Sequence, residues 1–168
     1  MSIQDTVRIL YTIGHSNLNF DQFFRLLDEH GIQCVIDVRS QPYSRYVPHF
    51  NREGFRAEVE RRGLTYEYKG DTLGGRPQAV DANGPTEAPD YEAMAKCPSL
   101  LETLEELVGR ASETRFALVC SEGDPSQCHR TKLLGRVIES QFRAQVVHIT
   151  ADGTVTQSEL HPEQLKLL

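Results

Sequence analysis

The feature that most constrains this chain's fold is the alternation of short apolar runs with amphipathic helical patterns. Five runs are typical of strands, at residues 7–13, 32–38, 64–68, 116–119 and 145–149. Helical periodicity fills most of the intervals between them. Parallel neighbours in a sheet need crossover connections. The order therefore predicts an α/β fold: a single three-layer domain with a mostly parallel sheet of about five strands and helices on both faces.

Two asparagines mark helix starts. Asn19 is followed three positions later by Gln22, the pattern of a capping box. Asn51 is predicted to cap a second helix, with Phe50 packing on Phe55 as a hydrophobic staple. Both segments are therefore predicted to be helices.

The remaining segments set the domain organisation. Helical patterns cover residues 100–111 and 130–138, and residues 161–168 are predicted to form a short closing helix. Residues 78–90 are rich in Pro, Gly, Asp and Ala, which predicts an irregular excursion or lid. Because 168 residues support one core but not two ordinary ones, we expect a single domain over 1–168, with 150–168 as a C-terminal extension.

The composition limits the class of protein and the compartment that we expect. Hydrophobic residues make up 39% and charged residues 25%, as in globular proteins. The longest apolar runs are far shorter than a bilayer span, and the first nine residues lack a signal peptide's apolar core. We therefore expect a cytoplasmic protein without membrane contact, its four cysteines reduced. The sequence makes no prediction of oligomeric state.

Charge is unevenly spread along the chain. The net charge of −6 disfavours general attraction to nucleic acid. Residues 39–76, however, hold eight basic and five acidic residues, whereas residues 81–126 hold ten acidic and three basic. The basic segment is either a local anion-binding side or a solvated helix face whose charges balance.

The segment 116–131 is the richest in residues that could take part in binding or catalysis. A buried strand is broken at Gly123, Asp124 and Pro125, and the Cys-His-Arg-Thr cluster at 128–131 then falls at the first turn of a helix. Free backbone N–H groups, the helix dipole and a guanidinium suit phosphate, sulfate or carboxylate. The alternative is a loop that Ser126, Asp124 and Arg130 merely tie together.

The predicted topology gathers polar residues from several strand ends, because ligands of open α/β sheets bind beyond the carboxyl ends of the strands. Several arginines at one rim favour a negatively charged ligand. We therefore expect an anionic small molecule or nucleotide as the partner, and keep nucleic acid as an alternative. The candidate substrate-binding residues are Ser16, Arg39, Ser44, Arg45, Gly74, Gly75, Arg76, Cys128, Arg130 and Thr131.

Acid-base and nucleophilic candidates lie in the same segments: Asp37, Glu122, His15, His129 and Cys120. Either carboxylate could act as acid or base with a histidine partner, but Asp37 could equally be a structural partner of Arg39 or Arg130. Cys120 resembles the nucleophile of cysteine-dependent phosphatases in its place at a strand end. Nine residues separate it from Arg130, where that motif has five, which favours a buried structural cysteine.

The sequence disfavours a metal-binding site. Cys120, Cys128, His129 and His15 could contribute ligands, but no Cys-x-x-Cys pair occurs and the adjacent Cys128 and His129 should point in different directions. We expect no metal and no cofactor.

Several ordered motifs together resemble a known family. They are Tyr-Thr-Ile-Gly-His-Ser at 11–16, Asp-Val-Arg at 37–39, Pro-His-Phe at 48–50, Leu-Gly-Gly-Arg at 73–76 and the segment 120–130 that ends in Cys-His-Arg. The chain from about residue 11 to 149 looks like the bacterial and archaeal domain-of-unknown-function 488 family. The resemblance implies one compact α/β domain in an intracellular setting and supplies no reaction.

Three functions follow from these residues. The first is an enzyme, a hydrolase or transferase, acting on a phosphate-bearing small molecule, nucleotide or nucleic-acid end. The second is a non-catalytic nucleic-acid or nucleotide-binding module that uses residues 39–76 with Tyr43, Tyr46 and Tyr66 for stacking. The third is a thiol redox or metal-binding protein that uses Cys120 and Cys128.

Overall fold

The fold is built on one six-stranded sheet. The computed structural model describes residues 7–75 and 89–157. Strand order is β3-β2-β4-β1-β5-β6; β1 to β5 pair in parallel, and β6 pairs antiparallel to β5. The strands are β1 (Ile9–Gly14), β2 (Cys34–Asp37), β3 (Thr65–Tyr68), β4 (Phe116–Cys120), β5 (Gln145–Ile149) and β6 (Val155–Gln157). The predicted three-layer α/β architecture is confirmed.

Helices cover both faces of the sheet. In the described ranges they are α1 (Phe20–Glu29), α2 (Arg52–Arg61), α3 (Gly70–Leu73), α4 (Tyr91–Met94), α5 (Pro98–Arg110) and α6 (Arg136–Gln141). Short 3-10 turns occupy Pro48–Phe50 and Pro125–Gln127, and a π-helix spans Arg130–Gly135 directly before α6.

Two hydrophobic cores lie on opposite faces, and β4 contributes to both. Phe116 and Leu118 pack with the helix pair α5 and α6, whereas Ala117 and Val119 pack with α1 and α2. The alternation follows from the two-residue period of a strand. A strand buried on both faces reads as a continuous apolar run, which is why β4 stands out in the sequence.

This layering positions a crevice. The connections that follow β1 and β2 lead to helices on one face, while the connection after β4 leads to α6 on the other face. Where neighbouring parallel strands send their chains to opposite faces, the carboxyl ends leave a gap between the two loops. The end of β4 lies between the ends of β2 and β1, so it borders this gap.

The two predicted N-caps differ in the structure. Asn19 forms the full capping box, with its Oδ1 accepting from the Gln22 amide at 2.8 Å. Asn51 occupies the N-cap position of α2 but makes no capping bond; its Oδ1 accepts from the Ser44 amide at 2.7 Å instead. The predicted staple is present, since the rings of Phe50 and Phe55 lie 5.3 Å apart.

Some predictions fall outside the described residues. They concern Arg76, nearly all of the excursion at 78–90 and the closing helix at 161–168. β6 was not predicted, because its three residues are exposed and carry no buried alternation. None of the helices within 7–75 and 89–157 has the length and apolar character to cross a bilayer.

Candidate functional site

A polar pocket of about 390 Å³ lies at the carboxyl ends of β2 and β4. Six residues singled out in the sequence line it: Arg39, Tyr43, Gly75, Cys120, Glu122 and His129. Arg39 and Tyr43 follow β2, Cys120 ends β4, and Glu122 and His129 lie in the segment after β4. The pocket therefore occupies the crevice that the topology creates.

Arg39 is held rigidly at this pocket. Its Nε and Nη2 donate to the two carboxylate oxygens of Asp37, each at 2.8 Å. Asp37 is fully buried and also accepts from the Tyr66 hydroxyl at 2.6 Å. Burial and the adjacent carboxylate raise the pKa of Tyr66, so its hydroxyl keeps the proton it donates. The geometry gives Asp37 a positioning role.

His15 completes the support of Arg39. Its Nδ1 lies 2.8 Å from the Ser16 carbonyl oxygen, so this nitrogen carries the proton and leaves Nε2 to accept from Arg39 Nη1 at 3.3 Å. Burial lowers the pKa of His15 to about 4, and the ring stacks on Phe50 at 4.5 Å. His15 is therefore neutral at pH 7 and acts as an acceptor for the guanidinium.

Two cysteines meet at the pocket, which Cys120 lines. The sulfur atoms of Cys120 and Cys128 lie 3.0 Å apart, and each residue is 1% exposed. The Arg130 amide donates to the Cys128 sulfur at 3.5 Å, and His129 Nδ1 lies 3.5 Å from the same atom. Burial raises the pKa of Cys120, while the hydrogen bond from Cys120 lowers the pKa of Cys128 to about 6. The two sulfurs are therefore in different electrostatic surroundings although they are in contact.

Glu122 adds an anionic ligand atom near these sulfurs. One of its carboxylate oxygens and the sulfurs of Cys120 and Cys128 all lie within 4.8 Å of one another. Two thiolates and a carboxylate form a donor set that zinc accepts. Within residues 7–75 and 89–157, these three residues could hold a metal, although the sequence alone disfavoured such a site.

Arg130 ties the loop after β4 to the helix. It is fully buried, and its Nη2 donates to the carbonyl oxygens of Glu122 and Gly123 at 3.2 and 2.8 Å. Within the described residues its Nε and Nη1 have no hydrogen-bond partner. The sequence left two roles open for Arg130, which are binding an anion and tying the loop together. The contacts fit the second role.

The backbone donors expected to bind an anion are already bonded. The amides of Thr131 and Lys132 both donate to the Cys128 carbonyl at 3.1 Å, and the Arg130 amide donates to the Cys128 sulfur. The helix begins here as a π-helix, a form that occurs often at functional sites. An anion in the pocket must therefore rely on Arg39 more than on this helix start.

The glycine pair after α3 fills a packing role. Gly75 lies against the ring of His129, and Gly74 lies against Ser40 and the Gly70 carbonyl. Neither position has room for a side chain. The sequence analysis included both glycines among the candidate substrate-binding residues, and their contacts show a close approach of the backbone to neighbouring residues at the pocket.

Four other candidates do not line the pocket, although Ser16 bonds to Ser121, which does. Ser16, at φ 46°, donates its amide to the Ser121 carbonyl, and the Ser44 hydroxyl accepts from the amide of Tyr46. Arg45 is exposed and lies 5.1 Å over the ring of Tyr46. The hydroxyl of Thr131 is 3.3 Å from His148 Nε2.

The structure also adds pocket residues that the sequence reasoning missed: Gln41, Tyr91 and Gln127. Gln41 lies in the loop after β2, between the candidates Arg39 and Tyr43. Tyr91 had no comparable signal, because it reaches the pocket from α4, a short helix that no sequence pattern indicated.

Comparison with known proteins gives one match. A family model described as "Domain of unknown function DUF488" matches residues 19–137, which include the loops after β2 and β4. No curated protein and no solved structure matches the chain.

Proposed function

This chain belongs to the domain-of-unknown-function family DUF488, whose description names no reaction, and we propose from its pocket that it is a hydrolase or transferase acting on a small phosphate-bearing substrate. The observation that carries the proposal is Arg39, a guanidinium fixed by Asp37 at the wall of a polar crevice. A crevice at this place in an α/β sheet is where such folds bind ligands.

The fixed geometry of Arg39 favours anion binding. Three of its five N–H donors contact Asp37 and His15, which leaves one N–H on each terminal nitrogen without a recorded partner in the described residues. A planar guanidinium binds oxyanions through such paired donors. Because the side chain is already held in place, little rotamer entropy is lost when a ligand binds.

A carboxylate in the same pocket limits the chemistry of the ligand. Glu122 lines the same pocket and would repel a ligand that is anionic throughout. A nucleotide or sugar phosphate has a phosphate for Arg39 and hydroxyl groups that can donate to the Glu122 carboxylate. His129 lines the pocket as well and, in the described part of the chain, its buried Nε2 has no partner. These two side chains are the acid-base candidates.

The test is ligand-induced stabilisation, since a ligand of the folded state raises its apparent melting temperature. Wild type, Arg39→Lys and Gln41→Ala would be screened against inorganic phosphate, sulfate and nucleoside monophosphates. Arg45→Ala is the matched control, because Arg45 is exposed and does not line the pocket. We expect a shift in wild type and Arg45→Ala that is reduced in the two pocket variants. Equal shifts in all four proteins, or none in any, would reject the proposal.

Exposed aromatic residues favour nucleic acid as a second candidate ligand. Tyr43 and Tyr46 are 57% and 81% exposed, and Arg45 stacks on Tyr46. Such platforms bind single-stranded bases by stacking, worth about 1–3 kcal/mol per base. Fluorescence anisotropy with a short single-stranded oligonucleotide would test this. Binding that weakens with salt and with Tyr46→Ala supports it, and binding unchanged by both rejects it.

A further inference from the structure

We propose that Cys120 and Cys128 form a dithiol that reduces a small peroxide, in which Cys128 attacks the peroxide and Cys120 closes an internal disulfide. This activity goes beyond the proposed function and does not depend on it. It uses the sulfurs of Cys120 and Cys128 at the pocket and needs no contact with Arg39.

The distance between the sulfurs distinguishes this role from a metal site. Two sulfurs that share a tetrahedral zinc ion, each at 2.3 Å, lie about 3.7 Å apart. The sulfurs of Cys120 and Cys128 are 3.0 Å apart, about 1 Å longer than a disulfide bond. The observed contact therefore fits two thiols that share a proton and can be joined by a small movement.

The surroundings of the two sulfurs are unequal. The Cys128 sulfur accepts from the Arg130 backbone amide and lies beside the His129 ring, both of which stabilise a thiolate. Besides its contact with the Cys128 sulfur, the Cys120 sulfur donates a hydrogen bond to the Glu122 carbonyl oxygen at 3.8 Å. A carbonyl acceptor stabilises the protonated thiol. Cys128 is thus suited to attack and Cys120 to follow.

A buried cation adds a second reason for negative charge at this pair. Arg130 is fully buried, and none of the ion pairs recorded for the described residues includes it. A buried guanidinium without an opposing charge is strongly unfavourable. Arg130 acts by its charge on the carboxylate of Asp124 and on the sulfur of Cys120, so a thiolate within the pair adds negative charge near this guanidinium.

Access limits the oxidant to a small molecule. Cys120 lines the pocket and Cys128 does not, so an oxidant reaches the Cys128 sulfur past the Cys120 sulfur 3.0 Å away, and each residue is 1% exposed. A protein disulfide cannot approach so buried a pair. Hydrogen peroxide and small alkyl hydroperoxides are close to water in size and polarity, so they can enter a polar pocket of this volume.

The chemistry balances with the peroxide as the sole oxidant. The Cys128 thiolate attacks one peroxide oxygen, the O–O bond breaks, and the departing oxygen takes a proton and leaves as water or an alcohol. This step gives a sulfenic acid at Cys128. The Cys120 sulfur then attacks the Cys128 sulfur, a disulfide forms, and the hydroxyl leaves as water with the Cys120 proton. The dithiol loses two electrons and the peroxide gains two.

The test maps thiols after treatment of the full chain with one equivalent of hydrogen peroxide. Remaining thiols are alkylated and peptides are analysed by mass spectrometry. We expect a Cys120–Cys128 disulfide that dithiothreitol reverses, with Cys34 and Cys97 still alkylated. Cys97 is exposed and provides the comparison for general thiol oxidation, and Cys97→Ser should behave as wild type.

Two variants test the order of attack. In Cys120→Ser, a sulfenic acid at Cys128 should accumulate and react with dimedone. In Cys128→Ser, oxidation at Cys120 should be at least about tenfold slower, because its proton is retained. Denaturant unfolding confirms that each variant is folded, and the wild-type disulfide map needs no variant at all.

Four outcomes would overturn the proposal. They are oxidation of Cys97 with the pair intact, equal oxidation rates in the two serine variants, a purified protein whose pair is protected by stoichiometric zinc until a chelator is added, or no reaction. None of these bears on anion binding at Arg39, which is measured without peroxide by melting temperature. The two proposals can therefore fail separately.

Discussion

Gly75 lies so close to the imidazole of His129 that a β-carbon at position 75 would come within 2.5 Å of the ring's Cγ. The described backbone gives Gly75 no positive φ, so the requirement is space rather than conformation. The close packing of the pocket wall at His129 therefore requires a residue without a side chain at position 75.

Gly75→Ala should push the His129 ring or the Gly75 backbone aside. We expect the free energy of unfolding to fall by about 1–3 kcal/mol, the usual cost of overpacking. Gly109→Ala is the control, because a β-carbon there meets nothing within 4 Å and helix α5 gains from alanine by up to about 1 kcal/mol. Urea unfolding measures both, and equal stability of the two variants would contradict the packing argument.

Asp37→Asn should be strongly destabilising. The change removes the negative charge that balances Arg39 in a buried place, and breaking such a pair costs about 3–5 kcal/mol. Tyr66→Phe removes one hydrogen bond to the same carboxylate and should cost about 1 kcal/mol. Asp21→Asn breaks an exposed ion pair with Arg62 and should cost under about 1 kcal/mol. Denaturant midpoints in any other order would argue against the Asp37 and Arg39 network.

The fold was predictable because its signals are local and repeated. The capping box at Asn19 and the buried run of β4 depend on residues close in sequence, and both predictions are confirmed. Asn51 shows where prediction from such local signals fails. The same residue type at the same kind of position bonds the Ser44 amide instead of the helix, because the preceding loop offers a competing donor.

The site was less predictable because it depends on tertiary contacts. The sequence marked Arg39 and Cys120, and both line the pocket. It also marked Arg130, but the burial of that side chain and the π-helical start of its helix arise from packing against the loop after β4. The contact between Cys120 and Cys128 joins residues on either side of that loop, and no spacing rule indicated it.

Acid should destabilise the protein through two buried histidines. Burial lowers the pKa of His15 and of His148 to about 4, below the ordinary value of 6.5 that a histidine has in the unfolded chain. The unfolded state therefore binds more protons between pH 6.5 and 4, and stability falls as the pH is lowered through this range. We expect a loss of about 1–2 kcal/mol per histidine between pH 7 and 5.

Unfolding free energies measured from pH 7.5 to 5 would check this. His148→Gln does not titrate, so its stability should depend less steeply on pH than that of wild type. The hydrogen bonds described for His148 join its ring to the hydroxyls of Thr12 and Thr131, and the charge of Arg130 also lowers its pKa. Parallel curves for the two proteins would show that His148 has no part in the acid sensitivity.

Asn51 connects the loop after β2 to helix α2, and the loop carries the pocket residues Gln41 and Tyr43. Asn51→Ala removes the acceptor for the Ser44 amide, so stability should fall by about 1 kcal/mol and the loop should be cut faster by protease. Asn51→Asp keeps an acceptor oxygen and places a negative charge at the start of α2, which the helix dipole favours. Limited proteolysis should therefore cleave the alanine variant faster than the aspartate variant. If both variants are cleaved at the wild-type rate, the loop is held by other contacts and the bond to Ser44 is incidental.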